Sequence, residues 1–217
     1  MGAQGSQQQN LKTGAQSNDI FDSFYELFIY EAIEQIILKH KQKESTQQQQ
    51  QPLPSQPPMS STLSAQERSR QLHQQHQNTT QQEIYLEIEM IGRTLGRKII
   101  DLLIRDIQYK FQTQLDTMKF ICTEFWKFTF AKQVDNLRTN NSGTFIFTDE
   151  SFRFIARVSN NDHESKEYKQ KIKCYESFVV GSIKGALMNL GYESVPIVIS
   201  QITGPRLQLT VTVPMPS

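Results

Sequence analysis

Residues 194–213 read SVPIVISQITGPRLQLTVTV. In the second half of this stretch Leu207, Leu209, Val211 and Val213 alternate with Arg206, Gln208, Thr210 and Thr212. A period of two with one apolar and one polar set predicts a strand whose one face is covered and whose other face meets solvent. Ser194 to Ile202 forms a second apolar run, and Thr203-Gly204-Pro205 between the two is turn chemistry, so a β-hairpin ends the sequence. A sheet covered on one face needs a second layer, and the residues upstream supply it.

Directly before the hairpin, Tyr175, Phe178, Val179, Ile183, Leu187 and Leu190 recur at helical spacing, and Gly191 stands where helices favour a left-handed glycine. A polar loop, Ser159 to Lys173, precedes this helix. Further upstream the period is again strand-like: Thr144 to Thr148 and Phe152 to Val158, separated by Asp149-Glu150-Ser151, predict another hairpin. Three helices come first. The third, from about Gln114 to Leu137, carries Leu115, Met118, Ile121, Cys122, Phe125, Trp126, Phe130, Val134 and Leu137. The second, from about Gln82 to Arg105, carries Ile84, Ile88, Ile91, Leu95, Ile99 and Leu102, with Gly92 and Gly96 four apart so that another helix can pack closely. Its Arg93, Arg97 and Lys98 exclude a membrane span. The first runs from Asp19 to His40. The order ααα-ββ-α-ββ predicts an α+β, two-layer plait with four helices packed on a four-stranded antiparallel sheet.

The first helix is apolar at more than one angle. Ile20, Phe21, Phe24, Leu27 and Phe28 make one stripe, while Tyr25, Ile29, Ile33, Ile36 and Ile37 fall elsewhere on the wheel. Such a helix must be covered on more than one side. It is either enclosed by its own domain or shared between that domain and a partner. Between the first two helices, residues 41–82 contain fourteen glutamines and the prolines 52, 54, 57 and 58. A segment this polar cannot bury enough apolar surface to offset backbone entropy, which predicts a disordered insertion within one domain spanning residues 19–217, after a disordered leader, residues 1–18.

With 23 basic and 22 acidic residues the net charge is +1, which leaves no strong field to draw the chain to nucleic acid. The leader has neither a basic start nor an apolar run, and no stretch reaches the roughly 18 apolar residues of a span, which predicts the cytosol. The two cysteines, Cys122 and Cys174, lie in helical patterns without cysteine-rich spacing, so no disulfide framework is expected. Phosphate-cradling glycine loops, HExxH and nucleophile elbows are absent. His73 and His76 sit three apart without a further ligand, His40 and His163 stand in polar surroundings, and Glu87/Glu89 at i,i+2 point apart on a helix. No catalytic, cofactor or metal site is expected, and the chain reads as a non-enzyme.

The run Leu115-Asp116-Thr117-Met118-Lys119-Phe120-Ile121-Cys122-Thr123-Glu124-Phe125-Trp126 resembles the third helix of the TRAPP (trafficking protein particle) small subunits of the subunit 6 type. Asp135-Asn136-Leu137-Arg138-Thr139-Asn140 with Gly143-Thr144 resembles that family's helix-to-strand junction. Gly185-Ala186-Leu187, Leu190-Gly191 and Glu193-Ser194 resemble the end of its last helix. Three motifs in order are more specific than one. The likeness runs weakly over Asp19 to His40 and strongly over Glu83 to Pro214.

The resemblance implies an architectural subunit of a vesicle-tethering complex that also acts as a Rab guanine-nucleotide exchange factor in ER-to-Golgi and intra-Golgi transport. It implies pairing with a paralogous small subunit of the subunit 3 type, largely through N-terminal helices, and peripheral attachment to cis-Golgi and endoplasmic reticulum membranes through the complex, with exchange attributed to other subunits. On this reading Phe21, Phe24, Phe28, Ile91 and Leu95 are the expected partner-binding anchors. The subunit 3 paralogue carries an acylated cysteine between its second and third helices. Here Arg105 to Thr117 has none, so a bound acyl chain is not expected. The alternative is a small-ligand or lipid-binding module on the same plait, which would show a large closed apolar pocket.

Overall fold

The computed structural model describes residues 7–49, 65–105, 111–140, 142–155, 158, 165–192 and 197–213. Helix α1 spans Gln7–Gln49 and α2 spans Ala65–Ile104. Next, α3 (Gln114–Phe120), a π-helical turn (Ile121–Phe125) and α4 (Trp126–Phe130) follow one another without a break as a single rod. After β1 (Asn136–Thr139), β2 (Thr144–Asp149) and a 3₁₀ turn (Arg153–Ile155) comes α5 (Lys166–Asn189), then β3 (Ile197–Thr203) and β4 (Arg206–Thr212). The four strands form one antiparallel sheet in the order β1-β2-β4-β3. The α+β plait with four helical rods and a four-stranded antiparallel sheet is therefore present.

Its register follows from the alternation in β4. Leu207, Leu209, Val211 and Val213 are buried, and Val211 and Leu209 face Phe145 and Phe147 of β2. Gln208, Thr210 and Thr212 stay partly exposed on the other face. The covering layer is α5, whose residues from Cys174 to Leu187 are almost all buried. Ser165 caps its start by accepting the Tyr168 N–H at 3.2 Å. Its end is set by Gly191, whose φ of 95° is a conformation that side-chain-bearing residues avoid.

Helix α2 lies on α5 along a glycine seam. A Cβ on Gly92 would stand 2.3 Å from the Phe178 carbonyl oxygen, and one on Gly96 2.1 Å from that of Ser182. Reciprocally, Cβ atoms on Gly181 and Gly185 would meet the Glu89 and Arg93 carbonyl oxygens at 2.1 and 2.0 Å. The partner numbers rise together, so the helices run parallel with their backbones touching. Lys184 reaches across to Glu89 at 2.9 Å. By contrast α1 is antiparallel to α2, since Lys39 and His40 meet Glu87 while Lys43 meets Glu83.

Two boundaries differ from the expected ones. The third helix ends at Phe130, not near Leu137: Ala131 takes φ 60° and breaks the helix, and residues 136–139 become β1. The periodicity misleads because Val134 and Leu137 continue the spacing of Phe130 by coincidence. Leu137 pairs with Phe147 in the sheet, and the Val134 N–H bonds the Cys122 carbonyl at 3.0 Å. That carbonyl lies in the π-helical turn. Second, the described residues of the range Phe152 to Val158, 152–155 and 158, do not form a strand. Phe152, Phe154 and Ile155 are buried on and around the 3₁₀ turn, where the first two rings pack with Phe130 at 5.3 and 5.7 Å. The true neighbours of β2 are β1 and β4.

Helices α1 and α2 also extend past their expected ends into the glutamine-rich stretch. Glutamine is a good helix former, and the proline cluster falls in residues 50–64, outside the described residues. The described side chains from Lys41 to Thr46 and from Glu67 to Thr79 are exposed and add little burial. We expect replacement of residues 44–78 by a short linker to leave a single cooperative thermal transition, with stability changed by less than about 1 kcal/mol. Loss of cooperativity in a calorimetric scan would give this arm a structural role.

The edges of the sheet are guarded. At one side β1 is only four residues long and carries the exposed Arg138. At the other, the Ile202 N–H of β3 points away from β4 and is taken at 2.8 Å by Oε1 of Glu176, a mostly buried carboxylate on α5 whose Oε2 holds Lys173 at 2.9 Å.

Candidate functional site

The first helix resolves its own ambiguity by facing two ways. Glu26, Ile29, Ile33, Ile36 and His40 recur every three or four residues and are all buried. Their stripe is tied down by polar contacts as well as packing. Glu26 forms an ion pair with Arg153 Nε at 2.9 Å, the Tyr30 hydroxyl donates to the Phe154 carbonyl at 2.6 Å, and Glu34 pairs with Lys171 of α5 at 2.7 Å. His40 Nε2 lies 2.9 Å from Glu87 Oε2. Hydrogen bonds from Lys39 and His40 hold the Glu87 carboxyl below its ordinary range.

The opposite stripe of α1 is uncovered. Phe24 is 70% exposed, Phe28 62%, and Leu27 and Leu38 are exposed beside them. On α2 the same division holds. Ile84, Ile88, Ile99 and Ile100 are buried, while Leu86, Met90 and Ile91 are exposed, Met90 at 66%. Ile91 also lines the seam between the helices, against Ile29, Ile33 and Ile36 of the buried α1 stripe and beside Ile88. Large exposed apolar side chains on adjoining helices, flanked by polar ones, mark an interaction surface more often than a solvated face.

Of the residues expected as anchors, Phe24, Phe28 and Ile91 are exposed on this surface. Leu95 is half-buried and packs against the core. Phe21 lies outside the residues whose side chains are described. Leu27, Leu86 and Met90 were not among those expected. Leu86 and Met90 are one turn apart and out of phase with Ile84 and Ile88, a signal that the sequence carries.

Nucleophilic chemistry has no footing in the cysteines. Both thiols are buried, and burial pushes each up to about 12. Among the described residues no cluster of three or more His, Cys, Asp and Glu is placed to hold a metal ion, and no helix is long and apolar enough to cross a membrane. His73, His76 and His163 lie outside the described side chains. The spaces beside Ile29 and Phe178 and beside Tyr25 and Phe130 measure ≈ 10 Å³ each, room for about one water and none for an acyl chain.

The family model described as transport protein particle (TRAPP) component matches residues 26–213. Trafficking protein particle complex subunit 6B of Homo sapiens is 38% identical over 109 residues, which are 50% of this chain and 66% of that protein. Subunit 6A of Homo sapiens is 33% identical over 108 residues, 50% of this chain and 65% of that one. The chain thus spans just under two thirds of the length of these curated relatives. A crystal structure of a trafficking protein particle complex subunit 3 from Naegleria fowleri, covalently bound to palmitic acid, superimposes with a TM-score of 0.49 at 16% identity, covering 62% of this chain and 82% of that one.

Proposed function

The chain belongs to the transport protein particle (TRAPP) component family, and from that membership we propose that it is a non-catalytic architectural subunit that assembles through the exposed α1/α2 face. The partner is a paralogous small subunit, of the subunit 3 type, and the assembly is a vesicle-tethering complex that serves as exchange factor for a Rab GTPase in ER-to-Golgi and intra-Golgi transport. The chain would work in the cytoplasm and reach cis-Golgi and endoplasmic reticulum membranes only through the complex.

The observation that carries this reading is the exposure of Phe24 and Phe28 on α1 and of Met90 and Ile91 on α2, antiparallel helices whose other faces are committed to the core. A stable interface buries roughly 800 Å² per partner, which two helical faces can supply, and aromatic anchors dominate the energy. Replacing Phe24 and Phe28 together by Asp should lower affinity for the paralogous subunit at least about a hundredfold in co-purification, because two anchors commonly contribute more than about 2 kcal/mol each. Neither ring is in the core, so far-UV circular dichroism should match the parent. A folded double variant that still binds the paralogue normally would place the interface elsewhere.

A further inference from the structure

Tyr25 of α1 lines a space of ≈ 10 Å³ between the end of α4 and the 3₁₀ turn, beside Phe128, Phe130, Ala131 and Phe154. Its hydroxyl oxygen is buried and has no hydrogen-bond partner within the chain. Burial also raises the phenol well above its ordinary range, so the oxygen keeps its proton and remains a donor. The rings of Phe128, Phe130 and Phe154 offer that donor no strong acceptor. A buried hydroxyl left unpaired costs about as much as a lost hydrogen bond, and in folded proteins such groups are paired with protein or with ordered water in the large majority of cases.

The far wall of the same space has the opposite need. The rod ends where Ala131 takes φ 60°, and the last carbonyls of a helix have no following turn to donate to them. Phe128, Thr129, Phe130 and Ala131, which make up this end, all line the space. The Thr129 hydroxyl spends its proton on the Phe125 carbonyl at 2.8 Å and cannot serve them. Glu26, the carboxylate that also lines the space, is committed elsewhere: it forms an ion pair with Arg153 at 2.9 Å and accepts from the Tyr30 hydroxyl at 3.2 Å. A donor on α1 thus faces backbone acceptors on α4 across a gap that neither closes. The volume is about that of one water, the smallest molecule that can accept from the phenol and donate to a carbonyl at once.

We infer that this space is a binding site for one resident water, which accepts from the Tyr25 hydroxyl and donates to a carbonyl at the end of α4, and so ties the first helix to the third rod. Tyr25 follows Phe24 directly and precedes Phe28 by three residues, so the water fixes the turn of α1 that carries these two exposed rings. The site does not rest on the role proposed for the α1/α2 face.

The test pairs a crystal structure of the full chain, at a resolution that shows ordered solvent, with calorimetric scans of the parent and of Tyr25→Phe. The expected density is a single water about 2.6–3.2 Å from Tyr25 Oη and from at least one carbonyl oxygen of residues 128–131. Tyr25→Phe keeps the ring and removes only the hydroxyl, so the variant should fold. Its melting temperature should fall by about 2–4 °C, because one satisfied buried hydrogen bond is lost in a domain of this size. Two structural results would overturn the inference: a hydroxyl bonded directly to a protein group, or clear density for the surrounding side chains with none for a water between them. A Tyr25→Phe variant that melts at or above the temperature of the parent would overturn it as well, since removing a buried donor that has no partner stabilises the fold.

Discussion

Replacing Gly96 by alanine is expected to destabilise the domain by about 2–4 kcal/mol, although alanine is the better helix former by about 1 kcal/mol. The added methyl would stand 2.1 Å from the Ser182 carbonyl oxygen and 2.8 Å from its carbon. Both obstacles are backbone, so no rotamer change can make room. The helices must separate along a seam that includes Gly92, Gly181 and Gly185, and overpacking of this kind costs at the upper end of the usual 1–3 kcal/mol or beyond. In a domain of this size each kcal/mol lowers the melting temperature by about 2–4 °C. A fall of roughly 5–15 °C in a calorimetric scan is therefore expected, with a similar fall for Gly185→Ala. Thr94→Ala, exposed on the same helix, should change it little. A Gly96→Ala variant as stable as its parent would mean that the two helices do not touch at this point.

Asp149→Ala is expected to cost about 3–5 kcal/mol, the range for stripping one member from a buried ionic network. The Asp149 carboxylate is fully buried and accepts three donors: Trp126 Nε1 at 3.1 Å, Lys132 Nζ at 2.8 Å and the Ser151 N–H at 3.0 Å. Alanine would strand the indole and the amide, whereas Lys132 keeps Asp135 at 2.7 Å and reaches solvent. The cost is thus carried by the two neutral donors and the lost volume more than by the ammonium. Asp149→Asn keeps size and one acceptor and should fall between, at about 1–2 kcal/mol. Urea denaturation followed by the fluorescence of Trp126, the chain's single tryptophan, measures both. A loss under about 1 kcal/mol for the alanine variant would show that the network is not sealed from water.

These two sites show what was legible in the sequence. The α5 and β4 patterns could be read because one face of each is covered by apolar neighbours, and that constraint writes a clean period into the residues. Close packing at Gly92 and Gly96 was readable from spacing alone. That Gly181 and Gly185 complete the seam was not, because pairing of distant segments leaves no local mark. The start of β1 was hidden since Leu137 keeps the helical phase of Phe130, and the residue that ends the helix is Ala131, where a glycine or asparagine would have given the signal. Phe152 and Phe154 alternate like a strand yet serve a turn, because what they need is an aromatic pocket and not a ladder. His40 looked like part of a polar tail, and only its position opposite Glu87 buries it. For the interaction surface, Phe24 and Phe28 were readable as surplus apolar area, but Leu95, chosen by the same logic, spends part of its surface on the core.

The carboxylate of Glu176 on the outer edge of β3 bears on how the chain behaves when crowded with copies of itself. An open edge invites a foreign strand to dock by backbone hydrogen bonds, the first step of sheet-to-sheet polymerisation. Here an incoming strand would have to displace an anion from the Ile202 N–H, and it would meet that negative charge with its own carbonyl oxygens. The exposed Ile199 on the same strand is the kind of apolar residue that would otherwise reward such docking. Glu176 thus stands against strand addition at the edge amide it occupies.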